Sequence, residues 1–464
     1  MASTRSSSGC ESDLAVIGSG AAAFAAAIRA TETGARVVIV EKATVGGTCV
    51  NVGCVPSKAL LAAAETYHHA RSHGFAGIPR LDATAADLAA LVAQKDDLVG
   101  GLRQAKYLDL VDAYGFELRT GTARFADRDT ITVDGQPLTA AHYVIATGAR
   151  PSVPPIDGID TVDHLTSTTA LDLTELPRTL AVVGANAIGL ELGQAFAHLG
   201  SQVTFLDIAP RIAPFEEPEI SARVVTGARI ERAARSGDGA AVLEGDLPGL
   251  GSRLQTDRVL IATGRTPNTD ELDLAVAGVE ADRRGFVIVD EHGRTTNPRV
   301  WAAGDVTASP QFVYVAAAQG ALVADNALGD AGRSLDHTTL PRVTFTTPQI
   351  ASVGLTEADA TAAGRDVAVS VLPLTHVPRA IVDRDTRGLI KLVADRRTDA
   401  LLGVHILARG AGEVIQAGVY ALSAGLTVTE IADAFHPYLT MAEGLKLAAQ
   451  TFTRDVAKLS CCAA

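Results

Sequence analysis

The sequence predicts an α/β fold in three parts: two open parallel sheets, each begun by the same strand, glycine turn, helix and strand, and then a separate α+β domain. Three observations predict it. Leu14-Ala15-Val16-Ile17 is a short apolar run ending in Gly18-Ser19-Gly20-Ala21-Ala22-Ala23, after which Phe24 to Thr33 reads as a helix closed by Gly34 and Arg36 to Val40 as a strand with Glu41 at its end. The same order returns in Leu180 to Val183, Gly184-Ala185-Asn186-Ala187-Ile188-Gly189, Leu190 to Leu199 and Gln202 to Leu206, closing on Asp207. Two apolar strands then end alike, Tyr143-Val144-Ile145-Ala146-Thr147-Gly148 and Val259-Leu260-Ile261-Ala262-Thr263-Gly264, which supports a duplicated plan.

Pro151, Pro154 and Pro155 mark a crossing loop and a domain boundary between the two units. From Leu340 the character changes: Arg342 to Thr346, Asp366 to Leu372, Gly388 to Val393 and Leu401 to Ile406 read as strands, with helices such as Gly412 to Leu422 between them. Neither glycine turn nor Ala-Thr-Gly recurs there, so an α+β domain is expected. The expected organisation is a disordered lead over 1–12, a first nucleotide-binding domain in two pieces, 13–150 and 272–337, a second over 151–271 inserted between them, and a C-terminal domain over 338–464.

At ~150 residues per domain, 464 residues allow about three domains. The chain is 47% hydrophobic, 20% charged and 4% aromatic, which excludes disordered and collagen-like classes. Its 40 basic and 53 acidic residues leave a net charge of −13, with no basic stripe to neutralise nucleic acid or an anionic membrane. Met1 to Asp13 is Ser-rich without the apolar core of a secretion signal, and the Ala-rich run Ala21 to Ala30 is far short of the ~18 residues of a membrane span. The expectation is a soluble, cytoplasmic protein. Of the five cysteines, Cys49 and Cys54 form one close pair, Cys461 and Cys462 another, and Cys10 stands alone. Such spacing points to catalysis or metal binding in a reducing compartment rather than a disulfide framework.

A dinucleotide phosphate needs backbone N–H donors at a helix N-terminus, and glycine lets it approach. Gly18 and Gly20 supply this in the first turn, Ala23 allows close helix packing, and Glu41 is placed for a ribose. The second turn keeps Gly184 and Gly189 but has Asn186 at the middle position, where tolerance of left-handed backbone would let the turn survive. Asp207 takes the ribose position and favours NADH, while Arg211 would offset it for NADPH; the residues leave that choice open. In Gly46-Gly47-Thr48-Cys49-Val50-Asn51-Val52-Gly53-Cys54-Val55-Pro56-Ser57-Lys58, two thiols with four residues between them open a helix, poised to cycle between dithiol and disulfide, and the helix N-terminus and Lys58 favour thiolate.

That stretch, both glycine turns, both Ala-Thr-Gly strands and Ala302-Ala303-Gly304-Asp305 together resemble the FAD-dependent pyridine nucleotide–disulfide oxidoreductases, from about Asp13 to Cys462. The resemblance implies two Rossmann-like domains, one for FAD and one for NADPH or NADH, plus a C-terminal α+β dimerisation domain. It makes Asp305 a partner of the flavin ribityl chain and counts Gly46, Gly47, Thr48, Thr147, Gly148 and Gly264 among the cofactor contacts. Cys54 becomes the thiol next to the flavin, in charge-transfer contact with it, and Cys49 the outer thiol facing substrate. Lys58 would sit by flavin N5, paired with Glu191.

Pro437-Tyr438-Leu439-Thr440-Met441-Ala442-Glu443-Gly444-Leu445-Lys446-Leu447-Ala448-Ala449-Gln450-Thr451-Phe452, then Leu459-Ser460-Cys461-Cys462, resembles the branch of that family that acts on Hg(II), as does Gln311-Phe312-Val313-Tyr314-Val315-Ala316-Ala317-Ala318. Hg(II) is a soft cation that prefers thiolates, and adjacent cysteines close only a strained disulfide. The resemblance implies Hg(II)–thiol complexes as substrate, Tyr438 beside the metal, and a homodimer in which Cys461 and Cys462 of one subunit pass the ion to Cys49 and Cys54 of the other. His436 reads either as a general base with Glu443 or as a turn cap. Three departures stand out. His164 replaces a family tyrosine; the segment from Asp207 to Val224 is about ten residues short, near the minimum for a helical crossover; and Cys10 cannot supply an N-terminal Cys-x-x-Cys domain. The expected activity is reduction of Hg(II) to Hg(0) by NAD(P)H through FAD. The rivals are a flavin-dependent disulfide reductase, favoured by His436, and a thiol metal-binding flavoprotein without turnover, favoured by the short segment.

Overall fold

The computed structural model describes residues 10–82, 85–220, 225–237 and 239–455. The chain divides into two compact units, one formed by Met1–Ala59, Ala90–Val153 and Gly264–Leu335, the other by Leu60–Ala89, Pro154–Thr263 and Asp336–Ala464.

In the first unit, the strand Ser12–Ile17 lies between Val37–Glu41 and Gln136–Ile145, all parallel, with Ile17 opposite both Val40 and Ile145. Glu117–Thr120 continues the sheet beyond Val37–Glu41, and Val300–Ala302 runs parallel to Gln136–Ile145. From Leu14 onward the central strand is apolar because both its faces are covered. Leu14 and Val16 pack with Ala23, Phe24 and Ala27, whereas Ala15 and Ile17 pack with Phe125, Ile131 and Tyr143. The helices Ala21–Glu32 and Val313–Gly329 cross so closely that a Cβ on Gly320 would stand 2.1 Å from the Ala22 carbonyl.

The second unit holds a five-stranded parallel sheet in the order Val225–Thr226, Gln202–Asp207, Thr179–Val183, Arg258–Ile261, His164–Leu165. Beside it in sequence comes a three-stranded antiparallel sheet, Arg229–Arg235, Ala241–Leu247 and Gly251–Thr256. The C-terminal part is a five-stranded antiparallel sheet ordered Arg342–Thr344, Gln349–Gly354, Leu401–Ala408, Leu389–Asp395, Val367–Pro373, with the helix Ala411–Ser423 burying Ala411, Val414 and Ile415 against Ala351, Val404 and Ile406.

The two glycine turns repeat one another bond for bond. Gly18 N–H donates to the Val40 carbonyl at 2.8 Å and Gly184 N–H to the Leu206 carbonyl at 2.8 Å. Ala146 N–H donates to Ile17 O at 2.9 Å, and Ala262 N–H to Val183 O at 2.8 Å. A Cβ on either Gly18 or Gly184 would meet the carbonyl of that alanine at 2.4 Å. The Ala-Thr-Gly strands therefore brace the first glycine of each turn, which is why the two motifs travel together.

Several expectations change. Residues 10–12 are not a free lead, because Ser12 already begins the first strand, Glu11 N–H reaches Thr139 O at 3.1 Å and Arg36 donates to the Cys10 and Glu11 carbonyls. Residues 1–9 lie outside the described residues. The C-terminal sheet gains a fifth strand, Gln349–Gly354, whose Ala, Ser and Gly gave no strand signal. The last helix runs Glu443–Gln450, beginning before Lys446, and Leu459 to Cys462 lie outside the described residues. Residues 208–220 contain no helix, and Ala213 and Ile220 instead pack with Ala185, Leu190 and Ile350.

Candidate active site

Cys49 sits in the short helix Gly47–Asn51, and Cys54 opens the 19-residue helix Cys54–Ser72. The two thiols are hydrogen-bonded to each other, and this bond first, then burial and the charge on Cys54, holds the Cys49 proton far above the ordinary thiol range. The pair is thus two adjacent, mutually hydrogen-bonded sulfurs. Lys58, one turn along the same helix, acts in the opposite direction and favours ionisation of Cys49.

Backbone packing fixes this loop on the first glycine turn. Gly47 has φ +63°, and a Cβ there would lie 2.5 Å from Gly20 Cα, so only glycine permits the approach. Ser19, the unremarked residue inside the turn, accepts from Gly46 N–H at 3.1 Å and donates its hydroxyl to Glu41 at 2.6 Å. Glu41 also accepts from Ala43 N–H at 2.8 Å, so its carboxylate is aimed across the turn. Asn51, between the thiols, donates to the Val45 and Gly47 carbonyls at 3.0 Å each and accepts from Arg103 at 3.2 Å. Tyr107 stacks edge-on against Phe24 at 4.8 Å, and its phenol is pushed up by burial and by the two sulfurs. Sequence reasoning passed over Ser19, Asn51 and Tyr107; the one legible signal was Asn51, a poor helix former placed between two cysteines.

The remaining first-unit residues surround the same turn. Ala23 is fully buried beneath it. Thr147 and Asn268 exchange two hydrogen bonds, at 2.7 and 2.9 Å, and Gly148 follows with φ +68°. Asp305 is held protonated more readily than usual by burial, an effect the Arg265 guanidinium 3.5 Å away opposes. Thr48 is exposed on the thiol helix.

In the second unit, Asn186 has φ −104° and ψ −172°. The expectation of left-handed backbone fails, since the middle position of the first turn, Gly20, is equally extended at φ −80° and ψ −171°. Gly189 is required by packing, because its Cβ would strike the Gly184 carbonyl at 1.9 Å. Gly264, which begins the last piece of the first unit between the strands Arg258–Ile261 and Arg265–Pro267, has φ +130°. Asp207 accepts from Ala185 N–H at 2.6 Å and Ala209 N–H at 2.8 Å. Arg211 is not poised for a phosphate: it donates to the Glu216 carbonyl at 2.7 Å and the Pro214 carbonyl at 2.8 Å. Buried Glu191 accepts from Phe345 N–H at 2.9 Å.

His164, on an edge strand of the parallel sheet, has Nδ1 3.2 Å from the Val162 carbonyl. His436 likewise faces the Ala434 carbonyl at 3.2 Å, and no hydrogen bond joins it to Glu443, whose Oε2 is buried without a partner. Tyr438 is 56% exposed, beside a fully exposed Phe435.

The sequence profile described as pyridine nucleotide-disulphide oxidoreductase matches residues 12–320, and the dimerisation domain of the same family matches residues 340–449. The chain belongs to the pyridine nucleotide-disulphide oxidoreductases. Within that family it is 56% identical to a mercuric reductase of Streptomyces lividans, over 97% of this chain and 98% of that one. A mercuric reductase of Lysinibacillus sphaericus is 50% identical over 97% of this chain and 84% of its own length. Among solved structures, the Cu(II) complex of the HOCl-induced flavoprotein disulfide reductase RclA from Escherichia coli superposes with a TM-score of 0.85 at 30% identity, covering 95% and 99% of the two chains. The oxidoreductase family works with a flavin and a pyridine nucleotide, and the residues present fit a flavin dinucleotide: Gly47 lets its loop close on the glycine turn where a Cβ would strike Gly20, Glu41 is pre-aimed across that turn, and Asp305 is a half-buried carboxyl whose burial favours its protonated form. Among the described residues, no helix is long and apolar enough to cross a membrane.

Proposed function

We propose that this chain reduces Hg(II), delivered as a thiol complex, to Hg(0) at the expense of NAD(P)H. The observation that carries the reading is the Cys49–Cys54 pair, two hydrogen-bonded sulfurs on a loop clamped to a nucleotide turn, in a chain so similar to mercuric reductases. A soft dication takes both sulfurs as ligands and offsets the repulsion between two neighbouring thiolates. FAD, when bound, would supply two-electron transfer between the nicotinamide and this site. Both electrons end on mercury; the two thiolates are returned, the nicotinamide leaves oxidised and one proton is released.

The residue roles extend this reading. FAD occupies the domain 13–150 with 272–337, held through Gly18, Gly20, Glu41, Gly46, Gly47, Thr48, Thr147, Gly148 and Asp305, and Cys54 is the sulfur nearest it. The pyridine nucleotide takes the domain 151–271 through Gly184, Gly189, Asp207 and Gly264. Lys58 stabilises negative charge beside the thiols, and Tyr438 borders the metal in a homodimer formed by residues 338–464. Cys461 and Cys462 take Hg(II) from small thiols and hand it to Cys49 and Cys54 of the other subunit. A reducing, NAD(P)H-rich cytoplasm suits this chemistry. The test is oxidation of NAD(P)H by the flavin-loaded protein, with Hg(II) in excess thiol set against lipoamide, glutathione disulfide and thioredoxin. Stimulation by Hg(II) alone is expected; stimulation by a disulfide and not by Hg(II) would overturn the proposal in favour of a disulfide reductase.

A further inference from the structure

Resting on that reading for the role of the thiol pair, we propose that Arg103 is a positioning residue that keeps Cys49 in reach of Cys54, acting through Asn51 as one jaw of a clamp whose other jaw is Tyr107. Cys49 rides on the short helix Gly47–Asn51, joined to Cys54 by Val52 and Gly53. A helix of this length has too few backbone bonds to hold itself and has to be fixed from outside. Its end is fixed at Asn51. The side-chain amide donates to the Val45 and Gly47 carbonyls at 3.0 Å each, and its oxygen accepts from Arg103 Nη1 at 3.2 Å. Both amide hydrogens are thereby spent, and the oxygen is met by a charged donor, the stronger kind of bond. Its start is fixed at Gly46, where a Cβ would lie 3.5 Å from Tyr107 Cδ2, so the phenol ring rests against that residue.

Both jaws belong to one side of one helical segment. In the helix Leu88–Arg103 the buried residues Val92, Lys95 and Val99 recur at helical spacing, and the next place on that stripe is Arg103. The chain then widens into a single π-helical turn, Gln104–Leu108, which brings Tyr107 to the same loop, edge-on to Phe24 at 4.8 Å. Arg103 and Tyr107 thus grip the two ends of the Cys49 helix together. What such a clamp sets is the effective concentration of one sulfur at the other. Hg(II) arriving with two small thiolates exchanges two S–Hg bonds for two others, and the two protein thiol protons leave on the departing thiols. No bond is gained in that exchange, so it favours the protein only as far as the two sulfurs are already held together.

The experiment reads that effective concentration without mercury. The flavin-loaded protein is equilibrated, free of oxygen, with reduced and oxidised glutathione; the two thiols close to a disulfide as oxidised glutathione takes their two electrons and two protons and leaves as two molecules of its thiol. Remaining thiols are capped with iodoacetamide, and the tryptic peptide of residues 43–58, which carries both cysteines, is quantified by mass spectrometry. Arg103→Met, which keeps an apolar stem and loses the donor, is expected to shift the equilibrium toward the dithiol by about tenfold, the weight of one bond from a charged donor. Arg103→Lys should recover most of that shift. Asn51→Ala is expected to shift it at least as far, and adding Arg103→Met to Asn51→Ala to shift it no further. An unchanged equilibrium in Arg103→Met, or a loss that adds in full to that of Asn51→Ala, would overturn the proposal. The two readings fail separately: an equilibrium that follows Arg103 in a protein releasing no Hg(0) keeps the clamp and removes the mercury reading, and Hg(0) released by a protein whose equilibrium ignores Arg103 does the reverse.

Discussion

Gly47 decides more than any other single residue whether the thiols meet the nucleotide turn. Its Cβ would fall 2.5 Å from backbone at Gly20, in a left-handed conformation, so neither side can give way cheaply. Gly47→Ala is expected to weaken FAD retention by tenfold or more, measured as flavin released on gel filtration, with the far-ultraviolet circular dichroism little changed. Part of this site was legible. The glycines, both thiols and the acids Glu41 and Asp207 stand out because close backbone approach and charge demand particular residue types at fixed offsets. Ser19, Asn51 and Tyr107 were not, because their roles arise from hydrogen bonds and ring contacts closed across 22, 4 to 6 and 83 residues that no local pattern announces.

At the scale of elements, the segment without a helix is anchored by charge. Lys391, 1% exposed, reaches Glu357 at 2.8 Å, Glu219 at 3.0 Å and Glu217 at 3.1 Å. Burial alone would lower its pKa, but the bonds to the three carboxylates outweigh that and raise it. Lys391→Met strands the buried Glu217 and is expected to cost about 3–5 kcal/mol, read as a lower melting temperature. Lys391→Met with Glu217→Gln should recover much of the loss, because the buried charge is then gone. A lysine inside the apolar run Gly388 to Val393 was the visible signal, while its partners lay 34 to 174 residues away.

A second element contact carries a pH dependence. His68, on the helix begun by Cys54, stacks on His198 at 4.0 Å and 12°. Burial first, then repulsion from His68, His69 and Arg387, lowers His198 from 6.5 to about 4. The unfolded chain therefore binds a proton that the folded one refuses between those values, so stability is present above about pH 6.5 and is lost as pH falls toward 4. His198→Phe keeps a ring for stacking and removes the proton; the slope of melting temperature against pH over that window should flatten, and an unchanged slope would contradict the assignment.

For the whole molecule, the duplicated nucleotide plan was readable because each copy repeats a strand, a turn and a bracing Ala-Thr-Gly strand. The antiparallel sheet of residues 229–256 was not, since its strands alternate Arg and Glu with small residues and resemble a polar loop. The proposed function has Cys461 and Cys462 serving a partner subunit. Cys461→Ala with Cys462→Ala is expected to abolish turnover of thiol-complexed Hg(II) while NAD(P)H still bleaches the flavin; turnover at the original rate would remove the tail from the mechanism.

The most direct test of the whole account follows the metal itself. Hg(0) vapour swept from a reaction of the flavin-loaded protein, NAD(P)H and Hg(II) in excess thiol is measured by atomic absorption alongside cofactor consumption. The account predicts one Hg(0) released for each cofactor oxidised, and none with Cys54→Ser. Cofactor consumption without mercury vapour, or Hg(II) retained on the protein, would contradict it.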